Sequence, residues 1–285
     1  MTRQPGVGFG LADRIAIVTG GGNGIARSTA LRLAAAGCDV AVVDLDADAA
    51  QRTATEIEAV GRRAIAVQAD LTDPEAPRRM VAETVERLGA PSVAVNVCGG
   101  TGGVFKPFLD ITVDEWQRPL DLNLTSTFLS CQAEAIAMVR GGRGGAIVNV
   151  GSTSGITAAP NLSGYGAANA AVIHFTKSAA LELAPYGIRV NCVVPGTHWT
   201  EGTRRLATSE DSSPEVKAFY TRAAETTPLG RLGEADETSG VALFLASELS
   251  SYLTGHHVVS DGGLINTTAR PAFGGVRVPE AISHD

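Results

Sequence analysis

The sequence has no excess of basic residues and no long apolar run, and each shortage excludes a class of protein. The formal net charge is -7 and the chain has no long run of lysine or arginine, so we expect no nucleic-acid partner. No window approaches the roughly 18 apolar residues of a membrane span. The first ten residues contain no apolar stretch of signal-peptide length. We therefore expect a soluble, cytoplasmic protein with no membrane association.

Cysteine is also scarce, and the few cysteines are scattered. None has the short spacing of a metal site, and three lie in or beside apolar runs; the set is Cys38, Cys98, Cys131 and Cys192. We interpret them as buried free thiols in a reducing compartment and expect no metal. Only Cys98 has neighbours that suggest a further role.

Apolar segments of strand length alternate along the chain with segments that have a helical spacing of apolar residues. The predicted strands are residues 15–18, 40–43, 64–67, 93–97, 146–150, 190–194 and 257–259. The clearest predicted helices are residues 25–36, 47–60, 74–88 and 167–183. This alternation indicates a parallel sheet with helices on both faces and right-handed crossovers. We predict a single-domain, doubly wound α/β fold of about seven strands.

Two segments depart from this alternation. Residues 198–228 are polar and separate the last two predicted strands. A connection of that length is often a lid over a ligand, and we place the lid at about residues 197–228. The tail, residues 265–285, contains several prolines and glycines, a composition poor for helix or inner strand. Packing on a neighbouring subunit and disorder are the two alternatives for it.

A glycine-rich loop follows the first predicted strand and leads into a helix. Its sequence is Thr19-Gly20-Gly21-Gly22-Asn23-Gly24-Ile25-Ala26. Glycines let the backbone approach a pyrophosphate, and the helix offers unpaired N–H groups and a positive dipole end. A plain tight turn is the alternative, but the position between strand and helix favours dinucleotide binding. The candidate contacts are Gly20, Gly22, Asn23, Gly24 and Ile25.

Asp44 closes the second predicted strand, about 20 residues beyond the glycine-rich loop. A carboxylate at this position can accept hydrogen bonds from both ribose hydroxyls and would repel a 2′-phosphate. A solvated aspartate in a turn is the alternative. The position therefore favours NAD over NADP as the cofactor.

Further motifs follow the later strands. They are Asn96-Val97-Cys98-Gly99, Asp121-Leu122-Asn123-Leu124, Gly151-Ser152-Thr153-Ser154, Tyr165-Gly166-Ala167-Ala168-Asn169, and Pro195-Gly196 with Thr200. Together with the glycine-rich loop they resemble the short-chain dehydrogenase/reductase family over residues 11–264. The resemblance implies a Rossmann-like fold, a nicotinamide cofactor, and a homotetramer or dimer packed through the long helices near Asn123 and Tyr165.

The resemblance also implies a role for each motif. Tyr165 would exchange the proton of the substrate hydroxyl, Ser152 would orient the substrate oxygen, and Asn123 would hold a proton-relay water. Ser154 is the local rival of Ser152, and turn chemistry alone explains many such loops. The remaining cofactor contacts implied are Asp70, Leu71, Asn96, Cys98, Gly99, Pro195, Gly196 and Thr200.

Three substitutions depart mildly from the family pattern: Ala26 stands for a glycine, Val97 for an asparagine and Cys98 for an alanine. Pro119, in the helical pattern before Asn123, predicts a bend, because proline lacks an N–H and its ring clashes with the preceding turn. A bend there can expose a carbonyl.

The largest departure is Asn169, which stands where the family has lysine, four residues after Tyr165. This spacing places both side chains on one helical face. In the family the ammonium lowers the tyrosine pKa and holds the ribose, whereas a carboxamide copies only the hydrogen bonding. A unit charge about 4 Å away contributes on the order of 4 kcal/mol at an effective dielectric near 20, or up to roughly three pKa units. We therefore expect Tyr165 to be a poor base near neutrality.

Another cation would compensate for the missing lysine. Only three lysines occur, and Lys177 lies three helical turns beyond Tyr165, too far to act directly. Lys106, in the loop after the fourth predicted strand, is the candidate, although an exposed lysine is ordinary. His198 could face the substrate as an auxiliary acid or base, or lie on the lid surface.

These observations predict an NAD(H)-dependent oxidoreductase that interconverts a secondary alcohol and a ketone, with Tyr165 as acid/base and Ser152 and Asn169 beside it. One alternative is a cofactor-binding protein with little or no redox activity. Another is nonredox dehydration or isomerisation on the same scaffold. The retention of Tyr165, Ser152 and Asn123 favours the enzyme, because a pure binder has no chemical need for all three.

Overall fold

The computed structural model describes residues 8–267. Within them a seven-stranded sheet has the order β3-β2-β1-β4-β5-β6-β9, and each pair of neighbours is parallel. A short separate pair joins β7 to β8. The strands are β1 (Ile15–Thr19), β2 (Asp39–Asp44), β3 (Ala64–Gln68), β4 (Val93–Asn96), β5 (Gly145–Val150), β6 (Ile188–Pro195), β7 (His198–Trp199), β8 (Gly233–Glu234) and β9 (His257–Ser260). All seven predicted strands are confirmed.

Nine α-helices lie within the described residues. They are α1 (Gly24–Ala35), α2 (Ala47–Ala59), α3 (Ala76–Arg87), α4 (Val113–Pro119), α5 (Ser126–Gly141), α6 (Ser163–Leu183), α7 (Glu201–Thr208), α8 (Pro214–Thr226) and α9 (Ala235–Ala246). Helices α1, α2 and α9 cover one face of the sheet, and α3, α5 and α6 cover the other. The predicted doubly wound α/β fold is confirmed. In the described range no helix is both long and apolar enough to cross a membrane.

The continuous apolar runs arise because the strands are buried on both faces. In β1, Ala16 and Val18 pack toward α1 and α9, whereas Ile17 packs toward α3 and α5. All three are fully buried. Burying a side chain the size of Val18 or Ile17 contributes roughly 1.5–3 kcal/mol. Both helical layers are therefore held to the sheet by the same short strands.

The strand order reverses beside β1, which lies between β2 and β4. In open α/β sheets such a switch point leaves a crevice at the carboxyl ends of the strands. Thr19 and Asn96, the last residues of β1 and β4, are neighbours in the sheet. The glycine-rich loop and the loop after β4 therefore leave the sheet side by side.

The last crossover differs from the others. Helix α9 links β6 to β9 yet lies on the same face as α1, whereas α5 and α6 make the preceding steps in that direction on the opposite face. The connection is therefore left-handed, and the expectation of right-handed crossovers is wrong at this point. The handedness rule holds for about 98% of such connections, and this one, which also contains α7 and α8, is an exception.

The helix before the predicted active-site asparagine is interrupted, as Pro119 predicts. Helix α4 ends at Pro119, and a π-helical turn, Leu120–Thr125, joins it to α5. The Pro119 carbonyl accepts a hydrogen bond from the Asn123 side chain at 2.7 Å. Irregular helical turns of this kind often mark functional sites. The Asn123 side chain therefore bonds to the backbone at the bend itself.

The predicted lid segment is helical. It contains β7, α7 and α8, and neither helix has a fully buried residue. Helix α8 was not predicted from the sequence, although Ser213 and Pro214 are a typical N-cap and first helical residue. Closure over a ligand stays a prediction. Of the predicted tail, residues 268–285 lie outside the described residues.

Candidate active site

The glycine-rich loop has the geometry of a phosphate-binding turn. Gly20 and Gly24 have φ values of +66° and +57°, which favour glycine because a side chain would be strained. A Cβ on Gly22 would lie 2.8 Å from the Asp44 carboxylate. The Asn23 side chain makes no capping hydrogen bond at the start of α1. The first N–H groups of α1 thus remain available to an anion, which fits a dinucleotide pyrophosphate.

Asp44 closes the loop from the end of β2. One of its oxygens accepts a hydrogen bond from the Gly22 backbone N–H at 2.9 Å, and the other accepts one from the Asp46 N–H at 3.0 Å. Each carboxylate oxygen has about two acceptor positions, so capacity remains for two ribose hydroxyls. The carboxylate fits a ribose with free hydroxyl groups.

The side chain of Asp70 is exposed, whereas that of Leu71 is buried in the core. The Asp70 carboxylate accepts hydrogen bonds from the Thr72 N–H and hydroxyl. The Leu71 side chain is buried among residues of α3 and β3. An adenine contact from Leu71 would therefore come from its backbone.

The loop after β4 is tied to β1 by Thr19, whose hydroxyl oxygen accepts hydrogen bonds from the Val97 and Cys98 N–H groups at 3.1 and 3.3 Å. Burial, with smaller contributions from the Asp44 and Asp70 carboxylates, raises the pKa of the Cys98 thiol to about 11. Cys98 is therefore a neutral thiol at physiological pH and fills space beside the two carboxylates.

Asn96 ends β4, and its side chain points into the core. Its Nδ2 donates to Glu134 Oε2 at 3.0 Å and to Asn149 Oδ1 at 3.1 Å. All three residues are buried. A cofactor contact from Asn96 would therefore come from its backbone. No pattern in the sequence indicates that Glu134 and Asn149 are its partners.

Asn123 clamps the bend between α4 and α5 to the loop after β4. Its Nδ2 donates to the carbonyls of Gly100 and Pro119, each at 2.7 Å, and its Oδ1 accepts from the Gly100 N–H at 3.0 Å. A Cβ on Gly99 would clash with the Asn123 side chain. Both N–H bonds of the amide are thus engaged by backbone, and the relay water predicted for Asn123 stays a prediction.

Ser152 begins a 3₁₀ turn that lies directly against α6. Its hydroxyl oxygen accepts a hydrogen bond from the Ser154 N–H at 3.2 Å. The turn approaches so closely that a Cβ on Gly155 would lie 2.6 Å from the backbone of Asn169, and one on Gly166 would lie 2.9 Å from the Ser154 carbonyl. Two glycines therefore let the serine turn reach the helix that carries Tyr165.

Tyr165 and Asn169 lie one turn apart on α6. The Asn169 side chain is 2% exposed, and its Nδ2 donates to the Tyr165 carbonyl at 2.9 Å. Burial raises the pKa of the Tyr165 phenol, and hydrogen bonding to Ser152 and Asn169 lowers it again in part. Among the described residues no cation contributes to this balance. The three side chains meet, and the neighbours of the phenol are neutral.

Lys106 does not supply the missing charge. Its ammonium pairs with the Glu115 carboxylate, and this hydrogen bond lowers the pKa of Glu115 to about 2. Glu115 also caps α4 through Thr112. The charge of Lys106 is balanced on the surface.

The end of β6 completes the edge. Thr200, which follows Pro195 and Gly196 in the chain, caps α7. A Cβ on Gly24 would lie 3.2 Å from the methyl group of Thr200, so Thr200 borders the glycine-rich loop. His198 is 7% exposed. Its Nδ1 bonds the Gly196 carbonyl at 2.9 Å, and its Nε2 bonds the Thr238 hydroxyl at 2.7 Å.

His198 is therefore neither a lid-surface residue nor free to act on a substrate, and both interpretations from the sequence are wrong. The pairing of β7 with Gly233 in β8 buries it, and the absence of a side chain at Gly233 makes room for the ring. Within residues 8–267 no group of His, Cys, Asp or Glu side chains is arranged to hold a metal ion.

Comparison with known proteins gives a consistent result. A family profile described as "Enoyl-(Acyl carrier protein) reductase" matches residues 20–265. An L-rhamnose 1-dehydrogenase (NAD(P)(+)) of Sphingomonas sp. (strain SKA58) is 38% identical, with 89% of this chain and 97% of that protein covered. A cyclohexanol dehydrogenase of Acinetobacter sp. (strain SE19) is also 38% identical, with 88% and 94% covered.

The fold is also shared with solved structures. A short-chain type dehydrogenase/reductase from Mycobacterium marinum is 38% identical and superposes with a TM-score of 0.80, with 90% of this chain and 97% of that chain covered. A putative short-chain alcohol dehydrogenase from Sinorhizobium meliloti 1021 has a TM-score of 0.83 at 33% identity, with 91% and 99% covered. The switch-point crevice, the residues gathered there and these relatives show that the chain belongs to the short-chain dehydrogenase/reductase family of oxidoreductases.

Proposed function

We propose that this protein is an NAD(H)-dependent oxidoreductase that interconverts a secondary alcohol and a ketone. The observation that carries the proposal is the docking of the Ser152 turn onto α6 beside Tyr165. Because Gly155 and Gly166 have no side chain, the Ser152 hydroxyl can approach the Tyr165 phenol at the carboxyl end of the sheet. A protein that only bound a nucleotide would gain nothing from this approach.

Asp44 supports NAD rather than NADP as the cofactor. Its carboxylate retains acceptor capacity for ribose hydroxyls while it holds the Gly22 N–H, and its negative charge opposes a 2′-phosphate. Gly20, Gly22, Asn23, Gly24 and Ile25 would face the pyrophosphate at the start of α1. When bound, the nicotinamide would accept or supply the hydride.

The side chains divide the proton chemistry between them. The Tyr165 phenolate would take the proton of the substrate hydroxyl during oxidation and return it during reduction. The Ser152 hydroxyl would donate a hydrogen bond to the substrate oxygen and so fix its orientation. Asn169 binds the Tyr165 carbonyl through its Nδ2, which leaves its Oδ1 to accept from a ribose hydroxyl.

This arrangement predicts activity that increases toward alkaline pH. Tyr165 acts as a base only when ionised, and its pKa is raised by burial without a neighbouring cation in the described structure. We would incubate the protein with NAD and secondary alcohols from pH 7 to 10 and follow the absorbance of reduced nicotinamide. The panel should include cyclohexanol and L-rhamnose, because relatives at 38% identity carry those names. Tyr165→Phe should abolish turnover and retain NAD binding.

One observation favours a second candidate, a cofactor-binding protein with little or no redox activity. The raised pKa of Tyr165 and its neutral neighbours remove much of the driving force for proton transfer near pH 7. Nonredox dehydration or isomerisation, with Tyr165 as the acid, belongs to the same group of alternatives. Tight NAD binding without turnover at any pH would favour the binder, and conversion of a substrate without reduction of NAD would favour the nonredox reaction.

We also propose a homotetramer or dimer that packs through α5 and α6. The two helices line an open groove of about 510 Å³. Phe128, Ile136 and Val139 are exposed along α5, and apolar patches of this kind usually mark protein contacts. Sedimentation of the wild type and of Ile136→Asp would test this assembly, with a smaller species expected for the variant. Equal sedimentation coefficients would place any interface elsewhere.

The free cysteines support a cytoplasmic location. All four are unpaired thiols, and Cys38, Cys131 and Cys192 are buried. Burial raises the pKa of the Cys38 thiol to about 12, so it is inert and suits a reducing compartment. Cell fractionation with an antibody against the chain would test the location.

A further inference from the structure

Glu134 is a fully buried carboxyl group in the middle of α5, outside the machinery described so far. Its side chain is 0% exposed. Its Oε2 accepts a hydrogen bond from Asn96 Nδ2 at 3.0 Å. No lysine, arginine or histidine among the described residues pairs with it. A buried ionised carboxylate with one neutral partner is very costly, and such groups usually take up a proton.

Several polar atoms around Glu134 have no hydrogen-bond partner among the described residues, and their positions indicate that the Glu134 carboxyl group is protonated. Four buried side-chain atoms in the described structure have no hydrogen-bond partner within the protein. Three of them belong to this cluster: Glu134 Oε1, Asn96 Oδ1 and Ser130 Oγ. Ser130 precedes Glu134 by four residues and therefore lies on the same face of α5.

The numbers of hydrogen-bond donors and acceptors in this cluster distinguish the ionised from the neutral form of Glu134. Asn96 Oδ1 can only accept, and both oxygens of an ionised Glu134 can only accept. The Ser130 hydroxyl has one hydrogen for all of them. A neutral Glu134 adds an O–H donor, and its bond to Asn96 Oδ1 or Ser130 Oγ, direct or through one internal water, reduces the deficit. The neutral acid fits this cluster, and the carboxylate does not.

The electrostatic surroundings agree with this count. Burial raises the pKa of Glu134 to about 8, although the hydrogen bond from Asn96 opposes this shift. Cys131, on the same helix, interacts electrostatically with Glu134, and burial raises the pKa of that thiol well above its usual range. From α3, β4, β5 and α6, no charged side chain of the described chain acts on Glu134.

The cluster lies next to the carboxyl end of β4, where the proposed cofactor would bind. Asn96 is the last residue of β4, directly before the loop that Thr19 ties to the end of β1. Asn96 also donates to Asn149, and Asn149 Nδ2 donates to the Thr176 hydroxyl of α6 at 3.1 Å. A change at Glu134 therefore reaches the loop of Cys98 through one side chain.

We propose that Glu134 is held as a neutral acid whose O–H group serves the unpartnered oxygens of Asn96 and Ser130 and so positions Asn96. Ionisation at alkaline pH removes this donor and places an uncompensated charge in the core, which loosens the loop after β4 and weakens cofactor binding. Glu134 is a positioning residue that acts through Asn96. The part that concerns the cofactor rests on the proposed NAD-binding function. The protonation of Glu134 does not depend on that function.

Protonation is tested by unfolding. In the unfolded chain Glu134 ionises near its ordinary pKa of 4.5, and in the folded protein near 8. Between these values the folded state holds a proton that the unfolded state lacks, so stability falls as pH rises from about 4.5 to about 8. Calorimetry at pH 6.5 in buffers of different ionisation enthalpy should show release of about one more proton on unfolding of the wild type than of Glu134→Gln. Equal release would overturn the proposal.

The matched control is Glu86→Gln, which neutralises an exposed glutamate on α3 and should behave as the wild type. The infrared carbonyl band of a neutral carboxyl group, followed in the wild type between pH 6 and 9.5, serves as a second measurement if Glu134→Gln does not fold. Disappearance of that band near pH 8 supports the proposal, and its absence at pH 6 contradicts it.

Cofactor binding tests the consequence. The dissociation constant for NAD should increase about tenfold between pH 7 and 9 in the wild type, because pH 9 is one unit above the ionisation. It should remain unchanged in Glu134→Gln, whose neutral amide keeps a donor. An equal change in both proteins would refute the link between Glu134 and the loop. Failure of the wild type to bind NAD at pH 7 would instead refute the proposed function.

Discussion

Replacing Asn169 by lysine should shift the rate profile of the enzyme toward lower pH. In the wild type the phenol of Tyr165 has two neutral hydrogen-bonding neighbours, Ser152 and Asn169, and burial raises its pKa. The Asn169 amide already reaches back to the Tyr165 carbonyl at 2.9 Å. A lysine at this position would extend from the same face of α6 and bring an ammonium to the phenol.

The size of the shift follows from Coulomb's law. One charge at about 4 Å and an effective dielectric near 20 stabilises the phenolate by on the order of 4 kcal/mol, which corresponds to up to roughly three pKa units. The cationic ring of oxidised nicotinamide supplies part of this field in both proteins. We therefore expect the apparent pKa for oxidation to fall by about one to three units, and kcat/KM at pH 7 to increase roughly 10- to 1000-fold.

The assay is kcat/KM for alcohol oxidation with NAD from pH 6 to 10.5. The matched control is Asn169→Met, which has nearly the length of lysine without its charge. Thermal unfolding of both variants checks that the substitution, at a position only 2% exposed, does not disturb the fold. If Asn169→Lys and Asn169→Met gave the same profile, ionisation of Tyr165 would not limit the reaction, and the electrostatic argument would be refuted.

Three further substitutions test other parts of the site. Asp44→Ala should lower the preference in kcat/KM for NAD over NADP about tenfold, which is the value of one charge-assisted hydrogen bond. The control, Asp46→Ala, removes only the N-cap of α2 and should preserve the preference. Equal NAD/NADP ratios in the two variants would show that the Asp44 carboxylate does not set the preference. Gly155→Ala places a Cβ 2.6 Å from the backbone of α6 and should lower kcat about 100-fold by displacing the turn that carries Ser152. In the control, Gly240→Ala, the added Cβ lies in open space. An unchanged kcat in both variants would show that the turn tolerates this displacement. Lys106→Met should leave the pH profile in place, because its ammonium is already paired with a carboxylate, and a shift of one unit or more toward higher pH would identify it as a substitute cation.

The sequence predicted the fold because the information is local. Each of the seven strands is a short apolar run, and the runs exist because residues such as Ile17 and Val18 face opposite helical layers. The four clearest helices begin and end within a few residues of their predicted limits. Pro119 predicted the bend before Asn123, because proline removes a backbone donor wherever it occurs in a helix.

The motifs predicted where the site would be but not how each side chain is used. Asn96 and Asn123 both lie at the predicted edge, yet the amide of Asn96 is bound to Glu134 and that of Asn123 to the backbone of Gly100 and Pro119. A motif fixes the position of a residue along a strand or helix. The direction of its side chain depends on partners that are 23 or 38 residues away in the chain.

The chain alone therefore determined the doubly wound sheet, the glycine-rich turn and the spacing of four between Tyr165 and Asn169, since periodicity and backbone restrictions act between near neighbours. Only the tertiary structure decided that His198 is enclosed, that the final crossover is left-handed and that Glu134 has no counter-charge among residues 8–267. Burial and ionisation depend on what distant segments place around a group, and no local pattern records those surroundings.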